Sequence, residues 1–152
     1  MSPKNTTATL AMAVLAIALA APLVARADDK EVIDNRQKIM KAIDEQTTAL
    51  GEIVAASNPS ASDLRKRCDE LARLAKTVLK SFEPKVQGGG SKPEVWTNWD
   101  DFSAKVKTFT DKSQALADAA DKGVSATDIA GMLPDALSCR GCHNLYRDQS
   151  KK

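Results

Sequence analysis

One pattern narrows the folds open to this chain more than any other. Apolar side chains recur at alternating steps of three and four, and the in-out alternation of a strand is absent from the segments that follow residue 27. From about Ser60 to Phe82 the spacing runs through Leu64, Cys68, Leu71, Ala75, Val78 and Phe82, the seam of a helix packed against neighbours. It returns in Trp99, Phe102, Val106, Phe109, Ser113, Leu116 and Ala120. It also appears earlier, from about Lys30 to Ala56, in Ile33, Met40, Ile43, Thr47, Leu50 and Val54, with Arg36 interrupting the seam near its start. A last helix is expected after Gly123, with Asp128 and Pro134 as start signals and an end near Gln149. Ser57-Asn58-Pro59-Ser60 separates the first two helices, and Asn98 or Asp100 caps the third. The stretch from Glu83 to Thr97 holds Pro84, Gly88-Gly89-Gly90 and Pro93, and a loop of that length is usually functional or mobile. Four helices with two short links and one long one predict an all-α fold, an antiparallel four-helix bundle.

The first 27 residues read differently. Lys4 gives a positive start, Leu10 to Val24 is an uncharged run rich in Ala, Leu and Val, and Ala25-Arg26-Ala27 is a small-x-small cleavage pattern. Fifteen apolar residues fall short of the roughly 20 needed to span a bilayer. Residues 1–27 are therefore expected to be a secretory signal peptide, and residues 28–152 an exported, periplasmic domain with no membrane span. Without Lys4 and Arg26 the chain holds 20 basic and 20 acidic side chains. A neutral domain with no basic stripe gives no electrostatic reason to expect nucleic acid as a partner.

Chemistry concentrates in Ser138-Cys139-Arg140-Gly141-Cys142-His143. Cys-x-x-Cys-His is the attachment sequence of a c-type haem, in which two thiols form thioethers to the haem vinyls and the histidine ligates iron. On a helix, residues 139, 142 and 143 leave one face. Three other readings compete. A reactive dithiol belongs at a helix N-terminus after a strand, whereas here the motif is expected well inside the last helix. A Cys3His zinc site would need Cys68, which stands alone far upstream. A Cys139–Cys142 disulfide would distort the helix and leave His143, the sole histidine, unexplained. One covalently attached haem c is the expectation, and Cys68, at a seam position, is expected to be a small buried hydrophobe.

Three further stretches join this motif: Asn-Arg-Gln-Lys-Ile-Met-Lys at 35–41, Lys-Pro-Glu-Val-Trp at 92–96 and Trp-Asp-Asp-Phe at 99–102. Together they resemble cytochrome c-prime and its low-spin relatives of the cytochrome c-556 type, the class II c-type cytochromes, over essentially the whole chain after residue 27. The resemblance implies a four-helix bundle with haem attached at the C-terminus through Cys139 and Cys142, and His143 as proximal ligand. It also implies that Arg36 and Gln37 lie beside the haem propionates, that Trp96 packs beside the haem and that Arg147 lies on its proximal side. Met40 takes the place where low-spin relatives carry a ligating methionine and five-coordinate ones a residue that does not bind iron; Met132 is the weaker alternative. Relatives of this kind often dimerise, which implies a homodimer through the first two helices.

Two functions follow. With His143 and Met40 both on the iron, the protein is a one-electron carrier serving redox partner proteins. With the sixth site open, it binds nitric oxide or carbon monoxide at the distal haem face. Enzymatic catalysis is not expected, because His143 is the only histidine and no carboxylate pair or activated hydroxyl stands out.

Overall fold

Helices form where the apolar spacing places them. The computed structural model describes residues 21–150, with side chains from Asp28 onward. Its elements are α1 (Ala21–Ala55), α2 (Ala61–Phe82), α3 (Glu94–Thr97), α4 (Trp99–Asp121), α5 (Ala126–Ala136) and α6 (Cys139–Tyr146). α1 packs on α2, α2 on α4, α4 on α5, and α5 returns to α1, which closes the ring of a four-helix bundle; α6 follows α5 in the chain and packs on α3 and α4. Neighbours run antiparallel. Arg36 of α1 reaches Ser81 of α2 while Gln46 meets Arg67; Arg65 of α2 pairs with Asp121 of α4 while Thr110 bonds Ala75. Among the described residues no helix is long and apolar enough to cross a membrane.

Leu50, Leu71, Leu116 and Ile129 are fully buried, one from each long helix of the ring. Each contributes about 1.5–3 kcal/mol of apolar burial. All six seam residues of α2 are buried, as are Phe102, Val106, Ser113, Leu116 and Ala120 of α4. The helix ends are specified locally. Ser60 accepts from the Asp63 amide and Ser125 from the Asp128 amide, each satisfying an orphan donor of the first turn. Gly123, at φ +75°, ends α4: Val124 N–H bonds the Ala119 carbonyl and Gly123 N–H that of Ala120, the paired closure that favours glycine.

The structure departs from the sequence expectations at four places. α1 is already helical at Ala21, the first described residue, ahead of the expected start near Lys30. Of the two expected caps of α4, Asn98 holds the position, but without the side-chain bond of a cap. A four-residue helix, α3, interrupts the long loop. Finally, the expected last helix is two. Pro134 lies inside α5 instead of starting a helix; it removes one hydrogen bond from the final turn, and the chain leaves helical geometry at Leu137 and Ser138 before α6 begins.

Candidate functional site

The break before α6 decides how its side chains are presented. Cys139 is the first residue of an eight-residue helix, so the motif is not embedded in a long one as expected. Cys139, Cys142, His143 and Tyr146 follow at steps of three, one and three and share one face. Along that face exposure falls from Cys139, which is open, through half-buried Cys142 and His143 to buried Tyr146. The buried end is fixed. Tyr146 donates its hydroxyl to Asp101 of α4, its ring meets Phe102 edge-on at 5.2 Å, and Asp101 also pairs with Lys105 at 3.3 Å. Burial first and Asp101 second push the Tyr146 hydroxyl up to about 12. On the backbone, Lys92 N–H bonds the Tyr146 carbonyl and Asp148 N–H that of Gly90, which ties the end of α6 to the long loop.

Placing Cys139 at a helix start removes the positional argument against a reactive dithiol, but the thiols themselves supply another. Burial is the main influence on both and raises both pKa values; Asp44 of α1 raises that of Cys139 further, and Asp101 raises that of Cys142. A redox dithiol needs the opposite shift. No disulfide joins the two cysteines, and no group of three His, Cys, Asp or Glu side chains that could hold a metal ion is gathered among the described residues. The zinc set with Cys68 is therefore not assembled. Cys68 is fully buried in α2, its thiol pushed up to about 11 by burial and then by Asp69, in keeping with its reading as a small core residue.

His143 is held below its usual pKa, by burial first and by Arg147 second. Neutral imidazole is the form that binds iron. Two cysteines one turn apart, beside a neutral imidazole on the same face, are the donor set that a c-type haem requires. Asp44, close enough to act on Cys139, lies one turn beyond Met40 on α1. Met40 and Met132 are both half-buried against the core.

Arg36 has partners that the sequence did not disclose. Its Nε donates to the Ser81 carbonyl at 2.8 Å, Nη1 to Val86 at 2.5 Å and Nη2 to Pro84 at 2.6 Å. Its guanidinium stacks 4.8 Å from the Phe82 ring centroid and 5.1 Å from that of Trp96. An anion is therefore not needed to explain a charge in the seam, and two of its five N–H donors remain beyond these bonds. Trp96 in turn donates Nε1–H to the Phe82 carbonyl at 2.8 Å. Gln37 bonds the Gly89 carbonyl at 3.5 Å. Gly88 and Gly89, at φ +129° and +61°, lie so close to Ile33 that an added Cβ would come within 2.9 and 2.6 Å of its side chain. The three-glycine run was the one sequence signal of this contact. Tyr146, seven residues after Cys139, could have been placed on the motif's face by the same spacing rule.

A four-helix bundle that presents Cys-x-x-Cys-His on a short helix following its last one defines a c-type haem protein. A family described as Cytochrome C' matches residues 31–147, and the chain belongs to that family. It is 27% identical over 126 residues to cytochrome c' of Pararhodospirillum photometricum, covering 80% of this chain and all of that one. It is 29% identical over 119 residues to cytochrome c-556 of Agrobacterium fabrum, covering 76% of this chain and 80% of that one. Among solved structures, the nitric oxide complex of a leucine-to-valine variant of cytochrome c prime from Alcaligenes xylosoxidans superposes with a TM-score of 0.73 at 24% identity, over 80% of this chain and 97% of that one, which shows the shared fold. The cofactor is one covalently bound haem c with its iron, as the expectation had it. When bound, it supplies an iron that alternates between ferric and ferrous states and accepts axial ligands.

Proposed function

We propose that the protein is an exported haem c protein that takes nitric oxide or carbon monoxide on the distal face, with Cys139 and Cys142 as thioether anchors and His143 as proximal ligand. The observation that carries it is the match to the Cytochrome C' family over residues 31–147, and the half-buried Met40 on α1 is compatible with it. As a flexible filler over the distal side, it leaves room for a diatomic ligand without a fixed sixth bond. The nitric oxide complex of the Alcaligenes xylosoxidans relative, which shares the fold, supports this reading. Arg36 retains donors for a haem propionate, Gln37 and Trp96 hold the loop beside it, and Arg147 adds to the burial that lowers the His143 pKa. The test is carbon monoxide binding to the ferrous protein. Fast, single-phase association in the wild type, little changed in Met40→Ala, supports an open site; slow binding that the substitution accelerates manyfold points to Met40 on the iron.

That second outcome corresponds to the other reading, a one-electron carrier with His143 and Met40 as axial ligands. It is favoured by the similarity to cytochrome c-556 and by the affinity of thioethers for haem iron. Export is the other component. Cleavage after Ala27 would leave α1 starting with Asp28, Asp29 and Glu31, acidic residues that suit a helix N-terminus, and the family match begins just beyond, at residue 31. Mass spectrometry of periplasmic protein should find Asp28 at the N-terminus; an intact Met1 would refute export by this signal.

A further inference from the structure

We infer that the groove between α3, the start of α4 and the outward side of α6 is the docking surface for a protein partner that presents lysine or arginine side chains around an apolar tip. The inference rests on haem attachment to α6 and holds whichever distal reading is correct. The groove encloses about 610 Å³. Its lining charge is acidic, with Glu94, Asp100 and Asp101 set against Lys92. Asp101 is already engaged by Tyr146 and Lys105, which leaves recognition to Glu94 and Asp100.

Glu94 supplies an independent pointer. Its Oε2 is buried and has no hydrogen-bond partner. A buried carboxylate oxygen without a donor is costly, and a cationic side chain entering the groove would supply one. The groove is also lined by apolar side chains. Trp96 and Trp99 are half-buried in its wall, and Leu145, 48% exposed, is the exposed large hydrophobic among the described residues. Aromatic and aliphatic side chains beside charged ones are the composition of a protein interface. A divalent cation is the poorer occupant, since the described residues gather no metal-binding group of three. The opposite charge lies elsewhere: α2 carries six Lys and Arg against three Asp and Glu, so a basic partner is disfavoured on that helix. Asn144, Leu145 and Tyr146 of the wall follow His143 directly, which seats the partner against the helix that carries the cofactor.

The experiment titrates the isotopically labelled holoprotein with a lysine-rich mitochondrial-type cytochrome c at low ionic strength, followed by NMR. An acidic flavodoxin serves as the opposite probe. Chemical-shift changes should fall on the groove residues and the affinity should drop with salt. Glu94→Gln and Asp100→Asn should each weaken binding about two- to fivefold, while Lys76→Gln on α2 leaves it unchanged. Unaltered haem spectra of the isosteric variants establish that they fold. The inference is overturned if the basic probe does not bind, if its changes map to α2, if neither acidic substitution matters, if the flavodoxin occupies the groove equally well, or if the groove is filled instead by a second copy of the chain.

Discussion

Arg36 shows how one residue can be legible in kind and opaque in partner. A charge in an apolar seam announced an unusual contact, but its acceptors are carbonyls about 45 to 50 residues away, one in the last turn of α2 and two in the loop beyond it, whose path no periodicity describes. Arg36→Met should cost about 2–4 kcal/mol in urea denaturation, because three carbonyls lose a charged donor. Arg36→Lys should recover only part of that, lacking the planar fork; equal stability of all three forms would contradict the clamp. Cys68 was read correctly from its seam position alone, since a spacing rule suffices for a residue whose role is packing. With Cys139 and Cys142 bound to haem, the native protein should show no titratable thiol, and the denatured holoprotein one per chain; two or three would disprove the thioethers. Because the folded pKa of Cys68 is raised from 9.0 to about 11, the unfolded state loses its proton first. Stability is then full below pH 9 and declines between pH 9 and 11, by at most about 2–3 kcal/mol. Cys68→Ala should lack that alkaline component, though it starts less stable; parallel curves for the two proteins would show the thiol to be solvated.

Elements built on seams were the most legible. α2 begins and ends within a residue of expectation, with all its seam positions buried, because an amphipathic stripe and a serine cap suffice to define it. The boundary between α5 and α6 was not, since Pro134 suits either a helix start or a late interior position and only tertiary packing selects between them. α6 is short and depends on its ties to α4 and the loop. The Tyr146 hydroxyl holds the Asp101 carboxyl below its ordinary value, with Lys105 adding to the effect. A depressed carboxylate contributes stability above its unfolded value of 3.8 and loses it as the pH falls. The wild type should therefore lose its advantage over Tyr146→Phe in the acid range below about pH 4, as read by thermal unfolding at successive pH values. A constant difference down to strong acid would remove Asp101 from the account. Leu116→Ala, in the fully buried layer of α4, should cost about 2–5 kcal/mol.

At the scale of the whole molecule, the bundle and the attachment of haem followed from spacing and one short motif, because both are governed by helix geometry. The state of the sixth coordination site does not follow, because a half-buried methionine on α1 serves equally as filler or as ligand. The ferric visible and near-infrared spectrum of the purified holoprotein, recorded beside Met40→Ala, addresses this directly. An open distal site predicts a high-spin spectrum with no sulfur-to-iron charge-transfer band, nearly the same in the variant. A low-spin spectrum carrying that band, lost together with the low-spin state in Met40→Ala, would contradict the open site and make the protein an electron carrier.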